Sequence, residues 1–347
     1  MKDILIVAEI GCNHNGSIER ARAMVDVAKA CGVDAVKFQA FHARSLISRY
    51  APKAEYQKRT TGTADSQLEM TEKLELSEAA LDELMTYAES EGLLTFATPF
   101  DNRSISFLHR RGQRIWKIPS GEITNLPYLK QIAALPCADK QILLSTGMAT
   151  VEEIRTCLDI LTAAGAACSQ ITLLHCNTEY PTPDEDVNLT AITALRQVFS
   201  EIAIGFSDHS VGSVAAVGAA ALGVSVIEKH FTLDKALPGP DHKASATPVE
   251  LRQLCEQVRR IQAMRGNGLK TVTVSERKNK IVARRSVVAA VAIRQGERFT
   301  AENLTCKRPG NGISPLYFEQ LLGRRAMRDF AEDELIEAHG FPHEGSE

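Results

Sequence analysis

One alternation of apolar and polar positions recurs from residue 1 to about residue 265. Each repeat has a short apolar run, then a polar loop, then a segment with helical periodicity. The strand-like runs are 4–8, 35–38, 93–97, 115–118, 142–144, 171–174, 202–206 and 224–227. The helical segments are 17–31, 76–91, 101–111, 125–134, 150–165, 189–199, 211–222 and 248–264. Eight such repeats predict an α/β protein with a parallel sheet closed into a (β/α)8 TIM barrel.

A doubly wound open sheet would also alternate strands with helices. Its usual sign is a GxGxxG turn after the first strand. Here the first run leads into residues 9–16, which read EIGCNHNG and do not match that motif. The sequence also lacks a Walker A phosphate loop. The pattern therefore favours the barrel.

The pattern changes after residue 265. Residues 266–284 are rich in turn formers and bases and predict a solvated linker, and residues 285–347 have short strand-like runs and predict a second, small domain. The predicted domains are thus 1–265 and 285–347. The longest loop between a strand and its helix, at about 41–75, is predicted to be a lid, a dimer contact or a solvated excursion.

Composition narrows the function classes. The 347 residues are 44% hydrophobic and 24% charged, which is typical of a globular protein. The formal net charge of −3 gives no electrostatic argument for a nucleic acid partner. The most apolar stretch, 214–227, is too short and too mixed to span a bilayer, so we expect no membrane partner. Eight cysteines without a CxxC pair predict free thiols in the cytoplasm.

Polar side chains follow each predicted strand, which is where TIM barrels carry their chemistry. These residues are Glu9, Lys37, Gln39, Thr98, Lys117, Ser120, Glu122, Ser145, His175, Asn177, Ser207, His209, Glu228 and His230. A small, acidic, phosphorylated substrate is predicted, because phosphate needs positive charge and several hydrogen-bond donors. Side chains that offer these are Lys37, Lys117, Ser120, Ser145, Asn177 and Ser207.

Two of these residues, His209 and His230, lie on neighbouring predicted strands, which are about 5 Å apart. Neutral imidazoles there could bind one divalent ion, or could form a structural pair. Asp241 lies in a Pro- and Gly-rich loop after the last strand, which is otherwise typical of a turn.

The chain resembles the sialic acid synthase family in a series of short motifs that cover nearly its whole length. They are AEIGCNHNG (8–16), VKFQ (36–39), TPF (98–100), WKIPSGE (116–122), LSTGM (144–148), LHCNTEYPTP (174–183), GFSDH (205–209), EKHFT (228–232) and KRPGNGIS (307–314). The resemblance is to the bacterial N-acetylneuraminate synthases in particular. Legionaminate and pseudaminate synthases share most of these motifs.

The resemblance implies a barrel followed by an antifreeze-like (SAF) domain. It implies condensation of phosphoenolpyruvate with N-acetylmannosamine and water, which yields N-acetylneuraminate and phosphate with C–O cleavage and needs Mn²⁺ or Mg²⁺. The alternative is a legionaminate or pseudaminate synthase that uses a dideoxy-diacetamido hexose.

The resemblance also implies roles for individual residues. His209 and His230 match metal ligands. Positions around phosphoenolpyruvate are matched by Lys37, Thr98, Lys117, Ser120, Ser145, Asn177 and Ser207, and positions around the sugar by Gln39, Tyr180 and Asp241. Arg308 matches an arginine that reaches the neighbouring subunit's site, which implies a domain-swapped homodimer. Glu9, Glu122 and Glu228 are alternative proton carriers.

Two other interpretations stay open at this point. A Schiff-base aldolase would condense free pyruvate through Lys37 or Lys117 and would need no metal. Alternatively, the C-terminal domain could be a binding module with the barrel as its scaffold. Truncation after about residue 275 would distinguish a binding module, which keeps its function alone, from a synthase, which loses Arg308 from its site.

Overall fold

A computed structural model describes residues 4–136 and 139–342 and divides the chain into two compact units, Met1–Gly266 and Asn267–Glu347. The described part of the first unit contains eight parallel strands. They are β1 (Leu5–Gly11), β2 (Ala35–Ala40), β3 (Leu94–Pro99), β4 (Ile115–Ile118), β5 (Gln141–Ser145), β6 (Ile171–His175), β7 (Ala203–Asp208) and β8 (Val226–His230). Their order, β3-β2-β1-β8-β7-β6-β5-β4, is that of a TIM barrel, as predicted.

Helices follow the strands and form an outer layer. They are α1 (Ile18–Cys31), α2 (Ala43–Leu46), α3 (Glu55–Thr61), α4 (Gln67–Glu72), α5 (Glu78–Ser90), α6 (Asn102–Arg111), α7 (Leu126–Ala134), α8 (Val151–Ala163), α9 (Thr190–Val198), α10 (Val214–Ala221) and α11 (Pro248–Met264). Each of the eight predicted helices is present. The 41–75 segment, predicted as a loop, contains α2, α3 and α4, which are too short to give a helical period in the sequence.

Side chains of alternate strand residues fill the barrel in layers. Val7, Ala35, Phe96, Leu143, Leu174 and Val226 form an apolar cluster inside the strands. Gly205 makes room for it, because a Cβ at that position would lie 2.4 Å from Leu174 Cδ2. Two residues further along β1, β2 and β8, the side chains that point inward are those of Glu9, Lys37 and Glu228. The strand period thus places charged groups directly above an apolar floor.

The seam between β3 and β4 has no strand ladder among the described residues, and a side chain bridges it instead. The Ala97 amide donates to Gln113 Oε1 at 2.8 Å, and Gln113 Nε2 donates to the Ala97 carbonyl at 3.0 Å. Gln113 is buried, so no water can substitute for it. Its amide group replaces one step of the missing ladder.

The second unit has its own core. β9 (Ser286–Ala289) and β10 (Leu304–Lys307) pair antiparallel, and α13 (Phe318–Leu321) follows. The core of this unit includes Val287, Ile293, Phe299, Ile313, Phe330 and Ile336. Residues 266–284, predicted as a solvated linker, are almost all exposed and contain helix α12 (Val274–Ala283), which begins with a Thr273–Glu276 capping box.

Two predictions about the whole chain can be compared with the described residues. Seven of the eight cysteines have free thiols, and Cys137 lies outside the described residues. Within the described part of the chain, no helix combines the length and the apolar character needed to cross a bilayer.

We predict that Gln113→Leu destabilises the barrel by about 3 kcal/mol, because it leaves the buried Ala97 N–H and C=O without partners. The single tryptophan, Trp116, is fully buried on β4 beside this seam, so its fluorescence during urea unfolding reports on the barrel. Gln197→Leu, a change at an exposed position of α9, should cost less than about 0.5 kcal/mol. Equal unfolding free energies for the two variants would contradict the bridging role.

Candidate functional site

A cavity of about 320 Å³ opens at the carboxyl ends of the barrel strands. Most of the predicted site residues line it, namely Glu9, Lys37, Gln39, Thr98, Lys117, Ser120, Ser145, Tyr180, Ser207, His209, Glu228, His230 and Asp241. These side chains come from strands or strand ends around the ring and from two adjoining loops. The strand geometry therefore brings together residues that are far apart in the sequence.

Two lysines and two glutamates form a buried charge cluster in this cavity. Lys37 Nζ lies 2.7 Å from Glu9 Oε2 and 3.8 Å from Glu228 Oε1. Lys117 Nζ donates to Glu228 Oε1 at 2.9 Å. Each of these four residues is at most 4% exposed. Because charges at this depth are tolerated only when they are paired, the cluster holds its members in fixed positions.

The pKa values of the two glutamates in the cluster are shifted in opposite directions. Burial raises the pKa of Glu9 to about 7, although Lys37 opposes this effect. Burial also acts to raise the pKa of Glu228, but Lys117 and Lys37 outweigh it and hold that pKa below its ordinary value. The nearby glutamates raise the pKa of Lys37 despite its burial. One carboxyl can thus carry a proton near neutral pH while the other stays ionised beside two cations.

His209 and His230 face each other in the same cavity, with ring centroids 5.3 Å apart. The His209 Nδ1–H donates to the Asn177 carbonyl at 2.5 Å, so Nε2 carries a lone pair and acts as an acceptor. That Nε2 lies 3.2 Å from both Ser207 Oγ and Tyr180 Oη. Burial lowers the pKa of His209 to about 4, and burial together with His209 lowers the pKa of His230 well below its ordinary value. Both imidazoles are therefore neutral.

These two imidazoles fit a divalent metal ion. The carbonyl contact of His209 is the usual second interaction of a metal-binding histidine. The buried His230 Nδ1 has no hydrogen-bond partner, as expected of a nitrogen that serves a ligand. No group of three or more His, Cys, Asp or Glu side chains in the described residues is placed to hold a metal. Water or substrate would have to complete the coordination, as in catalytic sites.

Asp241 lies on the cavity wall, where a clamp holds its loop. Asn15 Nδ2 donates to the Pro238 carbonyl at 2.6 Å, and His242 Nδ1 lies 2.7 Å from Thr232 Oγ1. The Cys12 thiol contacts Asp241 Oδ2 at 3.4 Å. Burial raises the pKa of Asp241 to about 6. The sequence motif at residues 8–16 thus supplies a loop that positions a carboxyl for a polar ligand.

Residues 24–270 match the NeuB family, and residues 284–341 match the SAF domain. The chain belongs to the NeuB family. It is 50% identical to the N,N′-diacetyllegionaminic acid synthase of Campylobacter jejuni, with 97% of this chain and 99% of that protein covered. It is 40% identical to the enzyme of the same name from Legionella pneumophila, over 92% of this chain and 89% of that protein.

A solved NeuB-type structure also resembles this chain. It is the N-acetylneuraminic acid synthetase of Leptospira borgpetersenii in complex with citrate. The match has a TM-score of 0.69 and 32% identity, and it covers 80% of this chain and 90% of the other. The resemblance to the sialic acid synthases and the barrel-plus-SAF architecture are therefore confirmed.

Two predicted residues of the barrel in this NeuB-family chain, Glu122 and Asn177, do not line the cavity. Glu122 lies in a turn before α7, where its carboxylate accepts a hydrogen bond from Asn125 at 2.6 Å, so the geometry does not support it as a proton carrier. The side-chain oxygen of Asn177 accepts from the Glu179 amide instead of facing the cavity. Arg308, in the second unit, donates from Nε to the Ala283 carbonyl at 3.0 Å and is exposed.

Lys229 lies between Glu228 and His230 on β8, so strand alternation predicts that its side chain faces the helix layer. The structure places it so. Its ammonium group is buried and pairs with Asp208 at 2.9 Å, on the face of the sheet opposite to Glu228. Strand alternation alone was sufficient for this distinction.

Part of the cavity wall was not predicted from the sequence. It comes from the 41–75 segment, which contributes Phe41, Leu46, Ile47, Tyr56, Gln57, Gln67, Met70, Thr71 and Leu74. Besides the length of the segment, which predicts a lid as one of three alternatives, the sequence signal is the spacing of residues 67, 70 and 71, which lie on one side of a helix. That spacing is too short a pattern to stand out from a loop.

Proposed function

We propose that this protein is a phosphoenolpyruvate-dependent synthase that makes a nine-carbon acidic sugar from a diacetamido hexose of the legionaminate type. The observation that carries the proposal is the buried charge cluster beside two neutral imidazoles in one cavity. Lys37 and Lys117 offer positive charge to a carboxylate and a phosphate. Thr98, Ser120, Ser145 and Ser207 add hydroxyl donors around them.

The choice of acceptor follows the relatives. Two relatives named N,N′-diacetyllegionaminic acid synthase are 50% and 40% identical to this chain, whereas the N-acetylneuraminic acid synthetase structure is 32% identical. These values favour the alternative in the sequence-based prediction over N-acetylmannosamine as the acceptor. Gln39, Tyr180 and Asp241 are the residues that we assign to the sugar.

The reaction forms one bond between carbons and breaks one C–O bond. The enol carbon of phosphoenolpyruvate attacks the aldehyde carbon of the open-chain sugar, and water adds to the neighbouring carbon. The aldehyde oxygen takes up a proton and becomes a hydroxyl group. The carbon that gained water then loses phosphate by C–O cleavage and its hydroxyl proton, which leaves the keto acid. Lys37 and Lys117 offset the charges of the two anions, while Glu9, with its pKa near neutrality, is suited to accept the proton from water. Glu228 stays ionised and keeps both lysines in position.

A divalent ion, Mn²⁺ or Mg²⁺, would be held by His209 and His230. When bound, it would supply Lewis-acid polarisation of the aldehyde oxygen. The chain's own contribution is to keep both imidazoles neutral and oriented. The Asn177 carbonyl fixes the His209 tautomer, and the Tyr180 ring stacks on His209 with centroids 4.2 Å apart.

A Schiff-base mechanism fits these residues less well. It requires a neutral lysine amine as nucleophile. The carboxylates around Lys37 raise its pKa and favour the charged form, and the Lys117 Nζ is engaged in hydrogen bonds to both oxygens of Glu228. The cluster therefore supports anion binding over amine chemistry.

We further propose that the protein is a homodimer in which Arg308 of each chain enters the partner's site, and that it works in the cytoplasm. The free thiols of the described cysteines are consistent with a reducing compartment. The exposed position of Arg308 leaves its guanidinium group available for a phosphate or a carboxylate.

The test of the function is phosphate release from phosphoenolpyruvate with a panel of acetamido sugars, with and without added Mn²⁺. We expect release to require both metal and sugar, with kcat/KM for a deoxygenated diacetamido hexose at least about tenfold above that for N-acetylmannosamine. Faster turnover of N-acetylmannosamine would overturn the acceptor, and metal-independent condensation of free pyruvate would overturn the mechanism.

The dimer and the metal site can be tested together with two inactive variants. His209→Ala should lose Mn²⁺ binding in calorimetry, whereas Arg308→Ala should retain it. If the domains are swapped, one site of each mixed dimer has both groups intact, so refolding the two variants together should restore about a quarter of wild-type activity. A mixture that stays inactive, although mixed dimers form, would contradict the exchange of Arg308.

A further inference from the structure

The cavity has two unlike parts. One part holds the charge cluster and the imidazoles described above. The other is an apolar wall, which we define as Phe41, Leu46, Ile47, Met70 and Leu74 of the 41–75 segment together with Phe100. None of these six side chains can donate a classical hydrogen bond. The wall must therefore face a portion of a ligand that has few hydroxyl groups.

Short helices hold the apolar wall in place. The Ala43 amide at the start of α2 donates to Glu75 Oε2 at 2.9 Å, and Arg44 pairs with Glu72 at 2.8 Å. These contacts tie α2 to the end of α4. Within the wall, Met70 is only 7% exposed and Phe41 is also buried, whereas Leu46, Ile47 and Leu74 are half-buried.

The same segment is also tied to the metal-binding side of the cavity. The ring of Tyr56, on α3, packs against Tyr180 with centroids 5.3 Å apart, and Tyr180 in turn stacks on His209. Arg59 pairs with Glu179 at 2.5 Å beside this stack. The 41–75 segment therefore stands at a fixed position relative to the reacting end of the acceptor.

Two polar side chains lie among the apolar ones. Gln67 and Thr71 share the helix face of Met70, and both line the cavity. A carboxamide and a hydroxyl are suited to a neutral amide on the ligand, and neither brings charge. The wall thus combines apolar contacts with sparse neutral hydrogen bonding, which matches acetamido and deoxy positions of a sugar.

Hydroxyl groups at this wall would lose water without gaining partners. In a deoxygenated diacetamido hexose, an acetamido group replaces one hydroxyl of N-acetylmannosamine and a hydrogen replaces another. An apolar pocket distinguishes ligands by about 10- to 200-fold for one methylene-sized group, and an unpaired hydroxyl adds to that difference.

We propose that the apolar wall is the specificity element of this enzyme, and that it selects the N-acylated, deoxygenated end of the acceptor. This inference rests on the proposed function and deepens it. It assigns the choice of acceptor to side chains that do not touch the reacting atoms. The charge cluster is left to bind phosphoenolpyruvate in the same way whichever sugar is present.

The test compares kcat/KM for the deoxygenated diacetamido hexose and for N-acetylmannosamine in wild type, Leu74→Asn and Ile47→Asn. We define the ratio as kcat/KM for the diacetamido hexose divided by kcat/KM for N-acetylmannosamine. Each asparagine variant should lower this ratio by about tenfold or more, mainly by raising the KM of the diacetamido sugar. The KM of phosphoenolpyruvate should stay within about twofold, since the wall does not touch it. Leu74→Met, which keeps the surface apolar, should retain the wild-type ratio.

Leu68→Asn is the matched control, because Leu68 is on α4 but does not line the cavity. It should leave the ratio unchanged, and the fluorescence of Trp116 verifies that each variant is folded. If wild type is active but its ratio does not move in either asparagine variant, the wall is not the specificity element and the proposed function stands. If wild type releases phosphate with no acetamido sugar, the proposed function itself fails.

Discussion

The structure depends on the burial of two lysines and two glutamates at the mouth of the barrel. Isolated charges at the depth of Lys117 and Glu228 would be prohibitively costly, so each must keep its partner. The β-strand period meets this requirement, because Glu9, Lys37 and Glu228 point inward on adjacent strands just above an apolar layer. Pairing leaves these side chains little freedom, and the site is organised before any ligand arrives.

This constraint explains why so much of the site could be predicted. Parallel strands collect their carboxyl ends at one edge, so a list of strand-terminal polar residues is already a list of neighbours. Strand alternation separates Lys229 from Glu228 without any knowledge of tertiary structure. The rule does not fix the direction of Glu122, because this residue lies in a turn after β4 and its carboxylate accepts a hydrogen bond from Asn125 at the start of α7.

The remaining features depend on tertiary contacts that the sequence pattern does not encode. Helices α2, α3 and α4 are stabilised by contacts such as Ala43 with Glu75 and Tyr56 with Tyr180, which join distant parts of the chain. The many basic residues around helix α12 predict a solvated linker, although the capping box that begins the helix is visible in the sequence. The sequence signals for helices are weakest where the helices are shortest, and the short helices of the 41–75 segment contribute most of the apolar wall.

Under the proposed function, the cavity separates two tasks, with fixed charges for an anion and an apolar wall for the sugar. The most direct test of the anion site is a calorimetric measurement of phosphoenolpyruvate binding in the absence of sugar. Lys117→Met should weaken binding by about tenfold or more, because a charge-assisted hydrogen bond is worth about 1.5–3 kcal/mol. Lys229→Met, which removes an equally buried lysine from the outer face, should bind as wild type does. Undiminished binding by Lys117→Met would contradict the assignment of the charge cluster as the anion site.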